Sequence, residues 1–395
     1  MKIIIYGIGS GRLRVEKYLK MEHEIIGYSD SFFSSKCFNK KNFYKPKELL
    51  DIKFDFIIIA IGDGAISNKV VKDLISYQIK KEKIIEFYKV YCYKFASELK
   101  KVNRVMQNTD KVFDGLILGI SHGEVGINPQ YLNKSFYNFA LGRQDLFYNL
   151  KQLDELLKNY KDRIKNLKYV VLDMYTYTYF NYDVSRTKNA VTFLRANGWE
   201  FEETHNLKKS IEELKTIQEN EEPLFNDLFK TAIINIKNDY EQTGYDLYSD
   251  FPSENGISKN LKNEEVENYK NQPVVYSGIQ KNVFINTEKE NIEIFDKLLK
   301  KLKQINSEIK IYIVLIPQHK VVEDKLKIIE NDWKERFYKI LSDFKRDYNF
   351  EILDFKNNEE ISSKNNFYYD LEHLNYNGAT AFTKLLNSYI FKNGT

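Results

Sequence analysis

Cysteine and proline are scarce in this sequence of 395 residues, which contains two cysteines and six prolines. Cys37 and Cys92 lack the Cys-x-x-Cys spacing of redox and zinc sites, and two thiols are too few for a disulfide framework. We therefore expect both to be buried thiols in a reducing compartment. We also expect no metal site: His319 has no partner at ligand spacing, so we interpret it as part of a pocket wall and not as a metal ligand.

Long apolar runs and a surplus of one charge are also missing. Lys and Arg total 60 against 56 Asp and Glu, so the formal net charge is only +4, and the two signs are interspersed along the chain. This pattern argues against nucleic acid as a partner. The chain opens directly on an isoleucine-rich strand, and no apolar run approaches the length of a membrane span. The sequence therefore predicts a cytoplasmic protein without a signal peptide or a membrane span.

Apolar runs of strand length alternate with amphipathic segments of helix length in both halves of the chain. This alternation is typical of mostly parallel sheets flanked by helices, and 43% hydrophobic residues are enough for two cores. We predict an α/β protein with a first domain at 1–95, a linker helix at 96–110 and a second domain at 111–395. A charged insertion at about 181–282 interrupts the second domain, either as a lid or acceptor-binding surface or as a solvated helical decoration.

The first domain begins with a strand, a glycine turn and a helix. Gly7, Gly9 and Gly11 lie in the turn, and Asp30 ends the second strand about twenty residues later. This order matches the dinucleotide-binding βαβ unit, in which glycines let a phosphate approach a helix N-terminus and an acid receives the ribose hydroxyls. Arg12 stands where that motif has its third glycine, so we expect its guanidinium to meet a phosphate.

A second glycine turn, Gly62 to Gly64, follows a predicted strand at 54–61. With this turn, the first domain resembles the small Rossmann-type domains that are attached to sugar-modifying enzymes of bacterial glycan pathways, some of which hold a nucleotide-sugar. The resemblance implies a nucleotide or nucleotide-sugar over the first turn, with Ser10 and Asp63 as further candidate contacts. The alternative is a Rossmann-like scaffold that serves assembly and binds no ligand.

The second domain contains a serine at the end of a strand. Leu116 to Leu118 reads as a buried strand, and the glycine-flanked turn after it places Ser121 at the carboxyl end, where open α/β sheets bind ligands. Near the end of the chain, Asp370 precedes His373 by three residues. An acid at that spacing can accept a hydrogen bond from the histidine Nδ1 and leave Nε2 free to take a proton from a serine.

A strand-end serine paired with a late Asp-x-x-His resembles the SGNH/GDSL hydrolase superfamily. The likeness is closer to its bacterial branch with Gly-x-Ser-His, here residues 119–122, and Gly-Ile-Asn-Pro, here residues 126–129, which is often found near surface-polysaccharide genes. The resemblance implies Ser121 as nucleophile, His373 as base and Asp370 as orienting acid, with no cofactor required. Because Gly142 matches the glycine of the second family motif, the resemblance also implies an oxyanion hole formed by the backbone N–H groups of Ser121 and Gly142.

The sequence departs from the family pattern at two places. Ile120 precedes the nucleophile where the family has Asp, Ser or Asn, which removes a polar group expected to brace the turn. The third motif, Gly-x-Asn-Asp, is missing, so Tyr175 or Tyr177 becomes the candidate for the third oxyanion donor; the alternative is that these tyrosines wall the pocket. The side chains that we expect to line the substrate cleft are His122, Gln144, Tyr175, Tyr177 and His319.

These motifs predict a serine esterase or O-acyltransferase that acts on an acyl group of a surface-glycan precursor. Water is the acceptor in the first case and a sugar hydroxyl in the second, and both share the same first half-reaction. Two alternatives stay open: a non-catalytic sugar-nucleotide-binding or regulatory protein, and a serine-dependent transferase of a phosphoryl-linked substituent. The sequence has no Walker-type loop to support an ATP-driven version. A homo-oligomer is among the open oligomeric states.

Overall fold

A computed structural model describes residues 1–19, 23–62, 64–87, 100–106, 110–186, 205–206, 251, 257–274, 282–328 and 331–392. The chain divides into two compact units. The first comprises Met1–Lys100 with Ser185–Asp239, and the second comprises Lys101–Val184 with Tyr240–Thr395. Each unit contains one mostly parallel sheet, and helices flank the strands, so the predicted α/β class is confirmed. The boundary at Lys101 falls inside the predicted linker at 96–110.

The first unit is built on six strands, ordered β3-β4-β2-β1-β5-β6. All neighbouring strands are parallel except β3 and β4. The central strands are isoleucine-rich and buried, as expected where helices cover both faces of a parallel sheet. The strands are β1 (Lys2–Tyr6), β2 (Glu24–Ser29), β3 (Cys37–Phe38), β4 (Lys41–Tyr44), β5 (Phe56–Ile59) and β6 (Ile84–Glu86).

Two helices of this unit follow the two glycine turns, and one edge of the sheet differs from the prediction. Helix α1 spans Ser10–Tyr18 and α2 spans Gly64–Ser76. The sheet edge is a short antiparallel hairpin, β3 with β4, which the sequence analysis did not predict. Cys37 lies in this hairpin and is exposed, so the prediction of a buried thiol is wrong there; Cys92 lies outside the described residues.

The second unit is built on five strands, ordered β11-β10-β9-β7-β8, and every neighbouring pair is parallel. Parallel strands place all their carboxyl ends at one edge of the sheet, which is where residues distant in sequence can meet. The strands are β7 (Gly115–Leu118), β8 (Phe136–Asn138), β9 (Tyr169–Asp173), β10 (Lys310–Leu315) and β11 (Phe350–Asp354).

Helices cover both faces of the second sheet. Alternate residues of β7 separate into two buried clusters, with Leu116 and Leu118 in one and Ile117 in the other, as the period-two geometry of a strand requires. The described helices of this unit are α3 (Lys101–Met106), α4 (Ser121–Gly126), α5 (Leu146–Asn159), α6 (Asn263–Asn271), α7 (Ile285–Ile305), α8 (Lys320–Leu326), α9 (Asn331–Phe344), α10 (Glu359–Ser362) and α11 (Tyr376–Ile390). Throughout the described residues, every helix is too short or too polar to cross a bilayer.

Two helix boundaries differ from the sequence prediction. The amphipathic pattern of 322–348 predicts one long helix, but the segment contains two helices, α8 and α9, and the second begins with Asn331 and Asp332, residue types that favour the start of a helix. The sequence predicts a last helix at 381–391 capped by residues 377–380, whereas the helix begins at Tyr376, because the Asn375 side chain accepts a hydrogen bond from the Gly378 N–H and caps it. Within the predicted insertion at 181–282, α6 is described, whereas 210–218, where the pattern predicts a short helix, lies outside the described residues.

Candidate active site

The turn after β7 places Ser121 at the carboxyl edge of the second sheet. Gly119 has a φ of +143°, and a Cβ at this position would lie 2.6 Å from the Cβ of Asp173. The turn therefore needs glycine both for its backbone conformation and for its close approach to β9. Ile120 then precedes α4, and Ser121 is the first residue of that helix.

The structure brings Ser121, His373 and Asp370 together across 252 residues of sequence. The distance from Ser121 Oγ to His373 Nε2 is 2.9 Å. The two carboxylate oxygens of Asp370 lie 3.0 and 3.1 Å from His373 Nδ1. Asp370 also accepts backbone N–H groups from Glu372 and His373, which fixes the loop that presents the histidine. This is the geometry that a serine needs to transfer its proton to a base.

The charges around His373 favour its protonated form. Burial alone would lower the pKa of His373, but the hydrogen bond and negative charge of Asp370, with the charges of Glu372 and Glu124, raise that pKa above the ordinary value of 6.5. Burial also opposes ionisation of Asp370, yet its bonds to His373 and to backbone N–H groups hold its pKa below the ordinary value. The imidazolium form of His373 is therefore stabilised.

Asp173 braces the nucleophile turn from the neighbouring strand. This buried residue ends β9, and its carboxylate accepts the Gly123 N–H at 2.7 Å and the Tyr175 N–H at 3.0 Å. Burial raises the pKa of Asp173 to about 6, although these backbone bonds, one from Ile120 and the positive charge of Lys356 oppose the shift. The polar brace missing at Ile120 is thus supplied by Asp173, which the sequence analysis did not identify.

Asp173 should make the stability of the protein depend on pH. Because the pKa of its carboxyl is about 6 in the folded state against an ordinary value of 3.8, the folded state holds this proton more tightly. The stabilisation it provides is present in acid and is lost as pH rises through 6. Compared with Asp173→Asn, which does not titrate, wild type should lose about 1 kcal/mol of unfolding free energy between pH 5 and pH 8. Urea unfolding of both proteins measures this, and a difference that stays constant with pH would contradict it.

His122 lies directly against His373. Its ring is 4.6 Å from the His373 ring, nearly parallel at 27°, and 4.3 Å from the Tyr175 ring on the other side. Burial, followed by the positive charges of His373 and Lys356, lowers the pKa of His122 well below the ordinary value. A neutral ring in this position supports His373 without repelling its protonated form.

The backbone N–H of Gly142, assigned above to the oxyanion hole, has a partner in the structure. It donates a hydrogen bond to Glu124 Oε2 at 2.8 Å. The next residue, Arg143, adopts a left-handed conformation with φ of +59°, which is uncommon outside glycine and concentrates at functional sites. The loop after β8 is therefore held in a specific shape beside the nucleophile turn.

Two residues expected to line the substrate cleft have side chains that are hydrogen-bonded to other groups of the protein. Gln144 is fully buried, and its Nε2 lies within 3.1 Å of the Gly119 carbonyl and of the side-chain oxygens of Asn149 and Gln152. It braces the nucleophile turn from the core side, so the prediction that it contacts substrate is wrong. Tyr177 donates its hydroxyl to Asp354 at 2.7 Å, whereas Tyr175 packs against His122, the neighbour of His373.

His319 lines a cavity beside α8. Its Nε2 is bonded to Asn365 Oδ1 at 2.8 Å, and its Nδ1 accepts the Val321 N–H at the start of α8. It lines a cavity of about 590 Å³ between α6 and α8, whose lining residues include Lys270 and Lys325 but not Ser121, Asp370 or His373. Its backbone N–H donates to the Leu371 carbonyl, next to Asp370, so a place for His319 beside the substrate cleft stays a prediction.

A buried ion pair at the same sheet edge was not predicted. Lys356 follows β11, is 2% exposed, and donates to Glu323 at 3.1 Å and to the Gln318 side chain at 3.2 Å. Its ammonium lies 5.9 Å from the centre of the Tyr175 ring. Their positions in the sequence could have indicated this place, because Gln318 and Lys356 are polar residues within three positions of the ends of β10 and β11.

The glycine turn of the first unit has the predicted order but a different arginine contact. Gly7 has a φ of +96°, and Asp30 accepts the Ile8 N–H at 3.3 Å, so the acid is fixed beside the turn. Arg12 is paired with Glu16 at 2.6 Å, and its guanidinium lies over aromatic rings. The expectation that Arg12 meets a phosphate is not supported by this geometry. Asp63 and the side chain of Ser10 lie outside the described residues.

The fold and the site define an α/β protein with a serine, a histidine and an aspartate in one hydrogen-bonded chain. A family model described as C2185-like, N-terminal, matches residues 1–85, and a second model without a description matches residues 239–394. No curated protein matches the chain. A solved structure provisionally described as a platelet activating factor from Streptococcus pneumonia is similar at 11% identity, with a TM-score of 0.36, over 83% of this chain and 99% of that chain. At this TM-score the likeness supports no statement about function.

Proposed function

We propose that the second unit is an SGNH-like serine esterase or O-acyltransferase. The proposal rests on the hydrogen-bonded chain from Ser121 Oγ through His373 to Asp370. A serine hydroxyl is a poor nucleophile near neutral pH unless a base takes its proton, and a histidine acts as that base best when an acid fixes its tautomer. An intact relay of this kind favours catalysis over a purely binding or regulatory role.

In the first half-reaction, Ser121 Oγ attacks the carbonyl carbon of an ester while its proton passes to His373 Nε2. The bond between that carbon and the leaving oxygen then breaks, and His373 gives the proton to the departing alcohol. The acyl group is now on Ser121, and Asp370 has stabilised the imidazolium through Nδ1. In the second half-reaction, His373 takes a proton from an acceptor hydroxyl, whose oxygen attacks the acyl carbon. The bond between that carbon and Ser121 Oγ then breaks, and His373 returns the proton to Oγ.

The acceptor decides between the two activities. Water gives an esterase, and a sugar hydroxyl gives an O-acyltransferase. The substrate class that we propose is an acylated precursor of a surface glycan, because residues 119–122 and 126–129 resemble the branch of the superfamily that occurs near surface-polysaccharide genes.

Rapid quenching tests the proposed chemistry. After mixing with 4-nitrophenyl acetate, wild type should gain the mass of one acetyl group, and peptide mapping should place it on Ser121. Adding a monosaccharide as acceptor then separates the two activities: a transferase yields acetylated sugar, whereas an esterase yields acetate alone. A protein that releases 4-nitrophenol without any acyl group on Ser121 would contradict the proposal.

We further propose that the first unit binds a nucleotide or nucleotide-sugar over Gly7 to Gly11. Its support is the strand-turn-helix order, the left-handed Gly7, and Asp30, which the Ile8 N–H fixes beside the turn, where a ribose hydroxyl would lie. The backbone at Gly9 would approach the phosphates, because a Cβ built there has no atom within 4 Å.

Gly9→Trp should abolish nucleotide binding and leave the fold intact. Gly9 has a φ of −70°, which any residue adopts, and a Cβ built there has no atom within 4 Å, so the tryptophan side chain extends from an open backbone position toward the expected ligand site. Calorimetric titration with UDP-sugars, CDP-linked compounds and NAD should show at least one saturable ligand for wild type and none for the variant. If no ligand binds wild type, the scaffold alternative holds for this unit.

A further inference from the structure

The Glu124 carboxylate accepts a hydrogen bond from the backbone N–H that the proposed chemistry needs as an oxyanion donor. It lies three residues after Ser121 in α4, a spacing that puts both side chains on one face of the helix. Its carboxylate accepts the backbone N–H of Gly142 at 2.8 Å and contributes to the raised pKa of His373. The acceptor therefore lies one helical turn after Ser121, and the donor is the amide that the family resemblance assigns to the oxyanion hole.

The Gly142 amide is held in place without help from Glu124. The Leu141 N–H donates to the Gly119 carbonyl at 3.3 Å, and the Asn138 side chain donates to the carbonyls of Gly123 and Ile127 at 2.8 and 2.9 Å. The loop after β8 is thereby fastened to the nucleophile turn through other bonds. If the Glu124 side chain rotates away, these bonds still hold the amide in its position.

A carboxylate and an oxyanion cannot share this amide. Both are negative, they would be within a few ångströms of each other, and like charges at that separation repel strongly in a partly buried site. A carboxylate accepts hydrogen bonds and donates none. Breaking its hydrogen bond to the backbone N–H therefore costs little free energy only when another donor takes the place of that N–H. A substrate must therefore bring a donor of its own.

We propose that Glu124 is a specificity-determining residue that masks the Gly142 N–H until a substrate hydroxyl replaces it. This proposal rests on the proposed function. The substrate class it selects is an ester of a polyhydroxylated molecule, in which a hydroxyl next to the ester donates to the Glu124 carboxylate. An ester without such a donor reacts slowly, because its oxyanion meets a masked amide.

Steady-state kinetics with two probes test this selection. On 4-nitrophenyl acetate, which has no donor, Glu124→Ala should raise kcat/KM at least 10-fold, since one oxyanion donor contributes roughly 10²- to 10³-fold to the rate. On a monoacetylated glucose the kcat/KM of the same variant should be at least 10-fold lower than that of wild type. Glu124→Gln keeps an acceptor oxygen without the charge, so its kcat/KM on each ester should lie between the values for wild type and Glu124→Ala. Wild-type or lower activity of Glu124→Ala on 4-nitrophenyl acetate would overturn the proposal and make Glu124 a brace of the loop.

A spectroscopic measurement makes the two proposals separable. The chain has 17 glycines, so selective ¹⁵N-glycine labelling gives a sparse amide spectrum in which Gly142→Ala identifies the Gly142 signal. Glu124→Gln should shift that signal. If esters react but neither the Gly142 signal nor the ratio of rates on the two probes changes in the variants, the role of Glu124 is rejected. If the signal shifts but no protein reacts with either ester, the proposed esterase function is the one that fails.

Discussion

Replacing Ser121 or His373 with alanine is expected to lower esterase activity by at least about 10⁴-fold. The two side chains form one relay with a 2.9 Å hydrogen bond, so removing either removes proton transfer from nucleophile to base. For that reason the double variant should be little worse than either single variant. The measurement is the rate of 4-nitrophenyl acetate hydrolysis by the three variants and wild type.

A serine-to-alanine substitution elsewhere in the second unit is the control for Ser121→Ala, because it shows whether the loss of activity is specific to Ser121. Ser342 is exposed on α9, away from the sheet edge that holds the relay, and Ser342→Ala should retain wild-type activity. Independent, multiplying losses in the Ser121 and His373 variants would mean that the two residues do not act as a unit. Full activity of Ser121→Ala would remove serine as the nucleophile.

Asp370→Asn should lower the rate by about 10⁴-fold and move its pH dependence. His373 acts as a base only when neutral, so activity rises with pH through the pKa of His373. In wild type, burial lowers this pKa but the bond and charge of Asp370 raise it above 6.5. Without that charge, the pKa of His373 falls and the residual activity should reach its plateau at lower pH.

Glu372→Gln is the control for this shift. Glu372 is exposed, and its charge raises the pKa of His373 less than that of Asp370 does. This variant should therefore move the pH profile slightly to lower pH and leave the plateau rate close to that of wild type. Equal pH profiles for wild type and Asp370→Asn would show that the carboxylate does not act on the base.

Much of the fold is predictable from local pattern, because β7, β9 and β10 are apolar runs buried between helices. The hydrophobic pattern does not predict very short strands, and it does not show where one amphipathic helix ends and the next begins. The hairpin of β3 and β4 has two and four residues, which is too few for a period-two signal. The amphipathic repeat runs through both α8 and α9, so periodicity alone joins them into one helix.

The three relay residues could be found from sequence because their spacing and motif context describe the chemistry. Asp173 and Lys356 could not be found in that way, because their roles depend on which strands are neighbours in the sheet. Gln144 follows the predicted oxyanion glycine closely, yet its side chain turns into the core. The Glu124 contact with Gly142 depends on the exact shape of two loops, which no local pattern reports.

The most direct test of the central claim is intact-mass spectrometry after treatment with a fluorophosphonate, a reagent that forms a bond only with an activated serine. Wild type should gain the mass of one probe per chain, His373→Ala should react far more slowly, and Ser121→Ala should remain unmodified. A wild-type chain that stays unmodified, or a Ser121→Ala chain that is modified to the same extent as wild type, would contradict the assignment of Ser121 as the nucleophile of a Ser121-His373-Asp370 relay.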